Sequence, residues 1–248
     1  MRISIITVCF NSADTIQRCL DSVAAQSHEA IEHIVIDGAS RDSTPDIVRR
    51  APHVAHFVSE PDRGIYDAMN KGLARASGDV VAFLNADDRY AHPDVLLDVT
   101  ARLRHHTDDL LFGDVAFFRP EASDQLVRRY RSGHFTPGRI GWGWMPAHPA
   151  MFVRRAMFDT VGPFRTNYRI AADYEWVARA FAQRNWQHRH VSEVWVHMQT
   201  GGISTRGWRN TLLLNQEVLR ACRENGIATN WFKILSKYPR KALEYWRE

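Results

Sequence analysis

Cysteine is scarce: there are three in 248 residues. Cys9, Cys19 and Cys222 are too few and too scattered for a disulfide framework or a zinc cluster, so a reducing, cytosolic setting is expected. No stretch approaches the roughly 18 consecutive apolar residues of a membrane-spanning helix. Met1 and Arg2 run straight into ISIITV, too short for a secretory h-region with a cleavage site, and no signal peptide is expected. Repeats and low-complexity tracts are missing. G-x-G-x-x-G is missing after the first apolar run, where CFNSAD stands, which argues against a Rossmann oxidoreductase. Charge of one sign is only mildly in excess. The formal net charge of +4 suits anionic partners such as nucleotides, diphosphates or acidic lipid surfaces. No basic stripe interleaved with aromatics occurs outside the short C-terminal tail, so nucleic acid is not an expected partner.

What is there is an ordinary globular composition, 45% hydrophobic and 24% charged, in a chain long enough for one large α/β domain or a domain with a subdomain. ISIITV, IEHIVID, VAHFVSE and DVVAFL read as strands, the first a β-branched run as in a strand buried on both faces and the second also buried. Helices separate them. One runs through Ile16, Leu20 and Val23, and one lies near Pro45 to Arg50. The helix from Ile65 sets Ile65, Ala68, Met69, Gly72, Leu73 and Ala76 on one face, with Gly78 as its left-handed stop. Pro93 opens a further helix at its first position. This alternation predicts a doubly wound, mostly parallel sheet with helices on both faces over residues 1 to about 112. Beyond it, DLLFGDVAFF, QLVRRY, AMFVRR and HVSEVWVHM read as strands. ADYEWVARAFAQ and WRNTLLLNQEVLRACREN read as helices, the latter closed by Gly226. PGRIGWGWMPAHP is a loop of the kind that carries recognition.

The most informative segment is Glu60 to Asp88, where a buried strand leaves the sheet into Asp87 and Asp88. Desolvated carboxylates cost several kcal/mol unless paired or bound to a cation. Ligands in open α/β sheets bind at the carboxyl ends of the strands. Magnesium or manganese held by one or two carboxylates plus substrate phosphates fits this place; an N-cap role would explain Asp88 alone. Asp37 ends the second strand, either as a turn aspartate bonding its own backbone or as an acceptor for a base N–H. Thr7 and Asn11, past the first strand, could line the same crevice. Asp173, at the start of a helix, reads as an N-cap or as a general base for an acceptor hydroxyl. His197 ends a strand and becomes a metal candidate only if that strand end returns to the Asp87/Asp88 crevice. Trp144 and His148 sit in the recognition loop. The basic, aromatic tail suits an interfacial helix on anionic lipid.

ITVCFNSADTI, IDGASRDST, DRGIYDAMNKGLARASGDVVAFLNADD, HPAMFVRR and AADYEW stand in the order that resembles family 2 glycosyltransferases, over roughly residues 1 to 205. Within that family the look is of the bacterial enzymes that assemble exopolysaccharide and lipopolysaccharide, the colanic-acid type among them. The resemblance implies a GT-A fold and an inverting reaction. It divides residues 1–205 into a nucleotide-sugar half (1–112) and an acceptor half (113–205); residues 206–248 read as a C-terminal helical segment at the membrane surface. It implies Asp37 on the nucleotide base, Asp62 and Arg63 lining the donor pocket, and a divalent metal at Asp87 or Asp88. Asp173 would be the base, with His148 and Trp144 toward the acceptor. Asn85 stands where the family's D-x-D begins with aspartate, which moves metal binding onto Asp87 and Asp88. A Q-x-x-R-W motif is missing, so one sugar per encounter is expected. The donor implied is a nucleoside-diphosphate sugar, UDP by default. The acceptor implied is a saccharide or polyprenyl-diphosphate-linked saccharide, and the place the cytoplasm, peripheral at the inner face of the membrane. A non-catalytic nucleotide-sugar-binding protein is the alternative.

Overall fold

The computed structural model describes residues 1–119, 122–201, 207–236 and 238, with the side chains of 122–124 outside the description. The β-branched runs become the strands expected: β1 (Ile3–Cys9), β2 (Ile31–Asp37), β3 (Val54–Ser59) and β4 (Val80–Phe83). They lie in the order β3-β2-β1-β4 with every pairing parallel. Between them run α1 (Ile16–Ala24), α2 (Thr44–Arg49) and α3 (Ile65–Leu73). After β4, one strand was not expected: β5, only Arg89–Tyr90; β9 (His188–Gln199) is the strand expected from HVSEVWVHM, slightly longer at both ends. The sheet continues from β4 through β8 (Met151–Arg154), β6 (Leu110–Arg119), β9 and β5, with β7 (Ala122–Tyr130) paired to β6. In this part the pairings are mixed: β4–β8, β6–β8, β6–β7 and β5–β9 are antiparallel, and β6–β9 is parallel.

Helices cover both faces. On one, α1 and α4 (Val95–His105) bury Cys19, Val23, Val95, Val99 and Leu103 against Ile3, Ile5, Val80 and Ala82. On the other, α3 packs with α5 (Arg155–Val161), α6 (Ala172–Gln183) and α7 (Gly207–Glu224) over Ile6, Val8, Val81 and Phe83. A short α8 (Trp231–Leu235) adds Ile234 to the same core.

Three local expectations are corrected. The fourth helix starts at Val95 behind Asp94, so Pro93 lies outside it and not at its first position. α3 stops at Leu73 with Ala74 in ordinary right-handed geometry, and Gly78 has no positive φ. Gly78 is glycine for another reason: a Cβ there would lie 2.7 Å from the Ser4 backbone nitrogen, where β4 begins beside β1. The inward face of α3 carries Tyr66, Ala68, Met69 and Gly72 as its buried residues, while Ile65 and Leu73 pack partly buried at its margin. Gly226 does end α7, with φ +70°.

Candidate active site at the carboxyl ends of β1, β2 and β4

The carboxyl end of β1 lies between β2 and β4, where the parallel order reverses, and its crevice is the natural binding place of such a sheet. The loops leaving β1 and β2 are laced to each other. Asn11 N–H donates to Ser40 Oγ (2.7 Å) and Asn11 Oδ1 accepts from Arg41 N–H (2.9 Å). Ser12 N–H donates to Thr44 Oγ1 (2.8 Å). Asn11 holds this position in the left-handed region (φ +46°), which asparagine tolerates better than most residues. Thr7 is placed differently from the expectation. It is fully buried inside β1 on the α1 side, its hydroxyl 3.0 Å from His33 Nε2, and it does not line the crevice. Burial and the neighbouring His53 ring hold His33 down at about 3, so this inner polar layer is neutral.

Asp37 is fully buried at the end of β2. Its Oδ2 accepts from Ser40 N–H (3.0 Å) and from Ser59 Oγ (2.6 Å), and its Oδ1 accepts from the Ser40 hydroxyl. The carboxylate thus organises the turn, and a base N–H would have to displace a serine to reach it. Asp62 caps the next turn by accepting from Gly64 N–H (2.8 Å), and its side chain lies where a Cβ on Gly38 would be. Arg63 is exposed and paired with Asp67 (2.9 Å), at the edge of an open pocket shared with Thr166–Arg169.

At the exit of β4, Asp87 is half-buried and Asp88 nearly fully buried. Burial raises the Asp87 carboxyl. Burial first, and then the Asp87 charge, push Asp88 well above the carboxylate range. The compensation is thin: Asn85 Nδ2 donates to Asp88 at 3.3 Å, and the Gln199 backbone donates to it as well. Asn85 Oδ1 is buried with no partner. An orphaned oxygen beside two under-compensated carboxylates is the donor set a hard cation takes. The residues present therefore fit a divalent metal. His197 does sit where its strand returns to this exit, directly opposite Arg89. However, among the described residues no three His, Cys, Asp or Glu side chains converge on one point, so His197 does not complete a set with Asp87 and Asp88. Its burial, with Arg89 and His92 nearby, lowers its pKa.

Asp173 is the second residue of α6 and not its N-cap, which is Ala171. It lines a narrow apolar pocket with Phe83, His148, Phe158, Phe164 and Trp176. Phe83 is the last residue of β4. His148 is half-buried and stacked on Phe83 (5.2 Å). Burial lowers its pKa, against the pull of Asp173. Trp144 is buried with its ring against that of His134.

Two residues escaped the sequence reading. Tyr66 reaches from α3 to donate to Ile170 O (2.6 Å), its oxygen 3.1 Å from Asp173 Oδ1. Its only signal was its place inside the DRGIYDAMNKG segment. Glu217 of α7 accepts from the N–H groups of Arg169, Ile170 and Ala171 (2.7, 2.8 and 2.8 Å). No local pattern marks a contact made across 46 residues.

Residues 4–162 match the family model described as Glycosyl transferase family 2. A PGL/p-HBAD biosynthesis glycosyltransferase of Mycobacterium bovis is 33% identical over 222 residues, 88% of this chain and 82% of the relative. An uncharacterized glycosyltransferase of Mycobacterium tuberculosis is 37% identical over 185 residues, 72% of this chain and 68% of the relative. These relatives carry the family and not the colanic-acid type expected. Among solved structures, S. aureus TarS 1-349 in complex with UDP-GlcNAc superposes with a TM-score of 0.69 at 21% identity, covering 88% of this chain and 67% of that one. The chain spans only 40% of the TarS chain in another of its structures. The mannosyltransferase PcManGT from Pyrobaculum calidifontis, in complex with GDP-Man and Mn2+, gives 0.65 at 22% identity, covering 90% and 63%. At these identities the likeness is one of fold.

Proposed function

The chain belongs to glycosyl transferase family 2 with the GT-A fold, and from that premise we propose that it is an inverting, metal-dependent enzyme moving one sugar from a nucleoside-diphosphate donor to an acceptor hydroxyl. The observation that supports this reading is the pair of acidic places: Asp87 and Asp88 just past β4, and Asp173 on a pocket also lined by Phe83, the last residue of β4. Residues 1–112 are the donor half, with Asn11, Asp37, Asp62 and Arg63 around the nucleotide. Residues 113–205 are the acceptor half, and residues 206–248 a C-terminal segment.

Asp173 takes the proton of the acceptor hydroxyl. That oxygen forms a bond to the anomeric carbon as the bond from this carbon to the diphosphate oxygen breaks, and the nucleoside diphosphate leaves with the electron pair. Asp87, Asp88 and Asn85 would hold a divalent cation, which would supply Lewis-acid neutralisation of the leaving diphosphate. The protein's main contribution is alignment of the two reactants. UDP is the favoured nucleotide, because a fold neighbour binds UDP-GlcNAc; GDP is the competitor, from the GDP-Man neighbour. A saccharide or polyprenyl-diphosphate-linked saccharide is the acceptor class, in cell-surface glycan or glycolipid synthesis.

The test is a panel of UDP- and GDP-sugars with Mn2+, scored by nucleoside diphosphate release. One donor should stand out, and chelation of the metal should cut its release on the order of 100-fold. Binding without release from any donor would favour the non-catalytic alternative.

Membrane association belongs to the same reading. No described helix is long and apolar enough to cross a membrane. Yet Trp208 and Leu212 on α7, and Phe232 and Leu235 on α8, are exposed, with Lys233 on the Trp142 ring and Arg209 on the Trp208 ring. Exposed aromatics among cations are the composition of a peripheral contact with anionic lipid; most of the basic tail itself lies outside the described residues. The chain should co-sediment with phosphatidylglycerol-containing vesicles and not with pure phosphatidylcholine, and the double change Trp208→Ser, Phe232→Ser should abolish this. Equal binding to both lipids, or none to either, would remove the membrane from the proposal.

A further inference from the structure

We propose that Tyr66 is a positioning residue for Asp173, holding its Oδ1 atom so that Oδ2 is the oxygen presented to the acceptor hydroxyl. The inference rests on the reading of Asp173 as the base. Both contacts recorded at the carboxylate fall on Oδ1: the Tyr174 N–H at 2.8 Å and the Tyr66 phenol at 3.1 Å. Oδ2 has no partner among the described residues, and Asp173 lines the pocket beside β4. One oxygen is fastened and the other is left for chemistry.

The phenol has a single proton and two acceptors, Ile170 O and Asp173 Oδ1. It is buried, and burial together with the Asp173 charge holds its own ionisation well above the ordinary tyrosine value. It therefore stays a donor throughout the pH range in which a carboxylate titrates. A purely structural role is already filled on the same helix. Asn70 pins α3 to the segment before α6 through Phe164, with Nδ2 donating to Phe164 O (2.8 Å) and Oδ1 accepting from Phe164 N–H (2.9 Å). Docking of α3 does not need the second contact of Tyr66. Donation to the carboxylate does something Asn70 cannot: it favours the ionised form of the base and fixes its orientation. The other ionisable groups around Asp173 are His148, from the turn before β8, and Glu217 of α7, whose oxygens accept from the 169–171 backbone.

The experiment is a titration of the chain labelled with 13C at the aspartate carboxyl carbon, followed by NMR. The Asp173 resonance is the one lost in Asp173→Asn. In Tyr66→Phe the Asp173 pKa should rise by about one unit, the worth of one hydrogen bond to a charged acceptor. Asn70→Ala loosens the same helix without touching the carboxylate and should leave that pKa where it is. In the unsubstituted chain labelled instead at the tyrosine Cζ carbons, one of the seven resonances should shift at the midpoint of Asp173 itself, a readout that survives even if Tyr66→Phe does not fold. An unmoved pKa in Tyr66→Phe, an equal shift in Asn70→Ala, or no tyrosine carbon tracking Asp173 overturns the positioning role. Retained turnover in Asp173→Asn is a different failure: it removes the base reading, whatever the titration shows.

Discussion

Asp173→Asn should lose transfer by roughly 100- to 10,000-fold, the usual worth of a positioned general base, while affinity for UDP with Mn2+ stays as in the unsubstituted chain. The substitution is well suited to the site. The amide keeps the size of the carboxylate, and its oxygen can still accept from Tyr174 N–H and the Tyr66 phenol, the two contacts at Oδ1. What is lost is the basic Oδ2. The fold of α6 should not notice, because the backbone leading into it is held from α7 through Glu217. Affinity should not notice either, since the acidic exit of β4 is a separate cluster. Asp87→Asn should behave in the opposite sense, weakening nucleotide binding in Mn2+ together with turnover. Single-turnover sugar transfer and calorimetric titration of UDP read the two quantities separately. Near-normal turnover in Asp173→Asn would sink the assignment. His148 would then be next in line, since it lines the same pocket and burial keeps it neutral, able to accept a proton.

Half of this arrangement is legible in the sequence for a physical reason. Strands buried on both faces must be continuous apolar runs, so ISIITV and IEHIVID announced β1 and β2, and the spacing of helices between them implied parallel pairing. The second half lacks that advantage. β6 finds its partners far along the chain, Leu111 opposite both Phe152 and Arg189, and no local pattern encodes such pairings. β5 is two residues long, below what periodicity can detect. The site divides in the same way. Asp87 and Asp88 were conspicuous because adjacent carboxylates at the end of a buried run are costly wherever they lie. Thr7 misled because side chains alternate along a strand, and its parity sends it to α1 although its position in the chain is close to the crevice. Tyr66 was hidden by the opposite ambiguity: on α3 the apolar stripe favoured its neighbour Ile65, and only the arrival of α6 shows which side chain turns inward.

The most damaging single change for the fold should be Glu217→Ala, which removes no part of the chemistry. The backbone that leads into α6, up to its N-cap Ala171, enters the core with N–H groups that need an acceptor from elsewhere. Glu217 supplies it from another helix. Its buried carboxylate takes the N–H groups of Arg169, Ile170 and Ala171, and its negative charge lies at the positive end of the α6 dipole. Without it, Ile170 and Ala171, both buried, keep donors with nowhere to go, at about 1–3 kcal/mol each. Water can reach exposed Arg169 and soften the third loss. A loss of about 3–5 kcal/mol follows, a large share of the roughly 5–15 kcal/mol that holds a typical domain together. Glu217→Gln should fall between, because one oxygen is kept while the other becomes an amide that confronts a backbone donor. Urea unfolding checks the order, with midpoints highest for the unsubstituted chain, then Gln, then Ala. Activity should fall further than stability explains, since the segment that loosens carries both Ile170 and Asp173, the two acceptors of Tyr66. If the midpoint of Glu217→Ala matches that of the unsubstituted chain, the three hydrogen bonds do not hold α6, and its placement must come from the apolar packing of Trp176 and Val177 and from the bonds of Tyr174, Trp176 and Arg179 to Ile140 O, Gly162 O and Pro163 O.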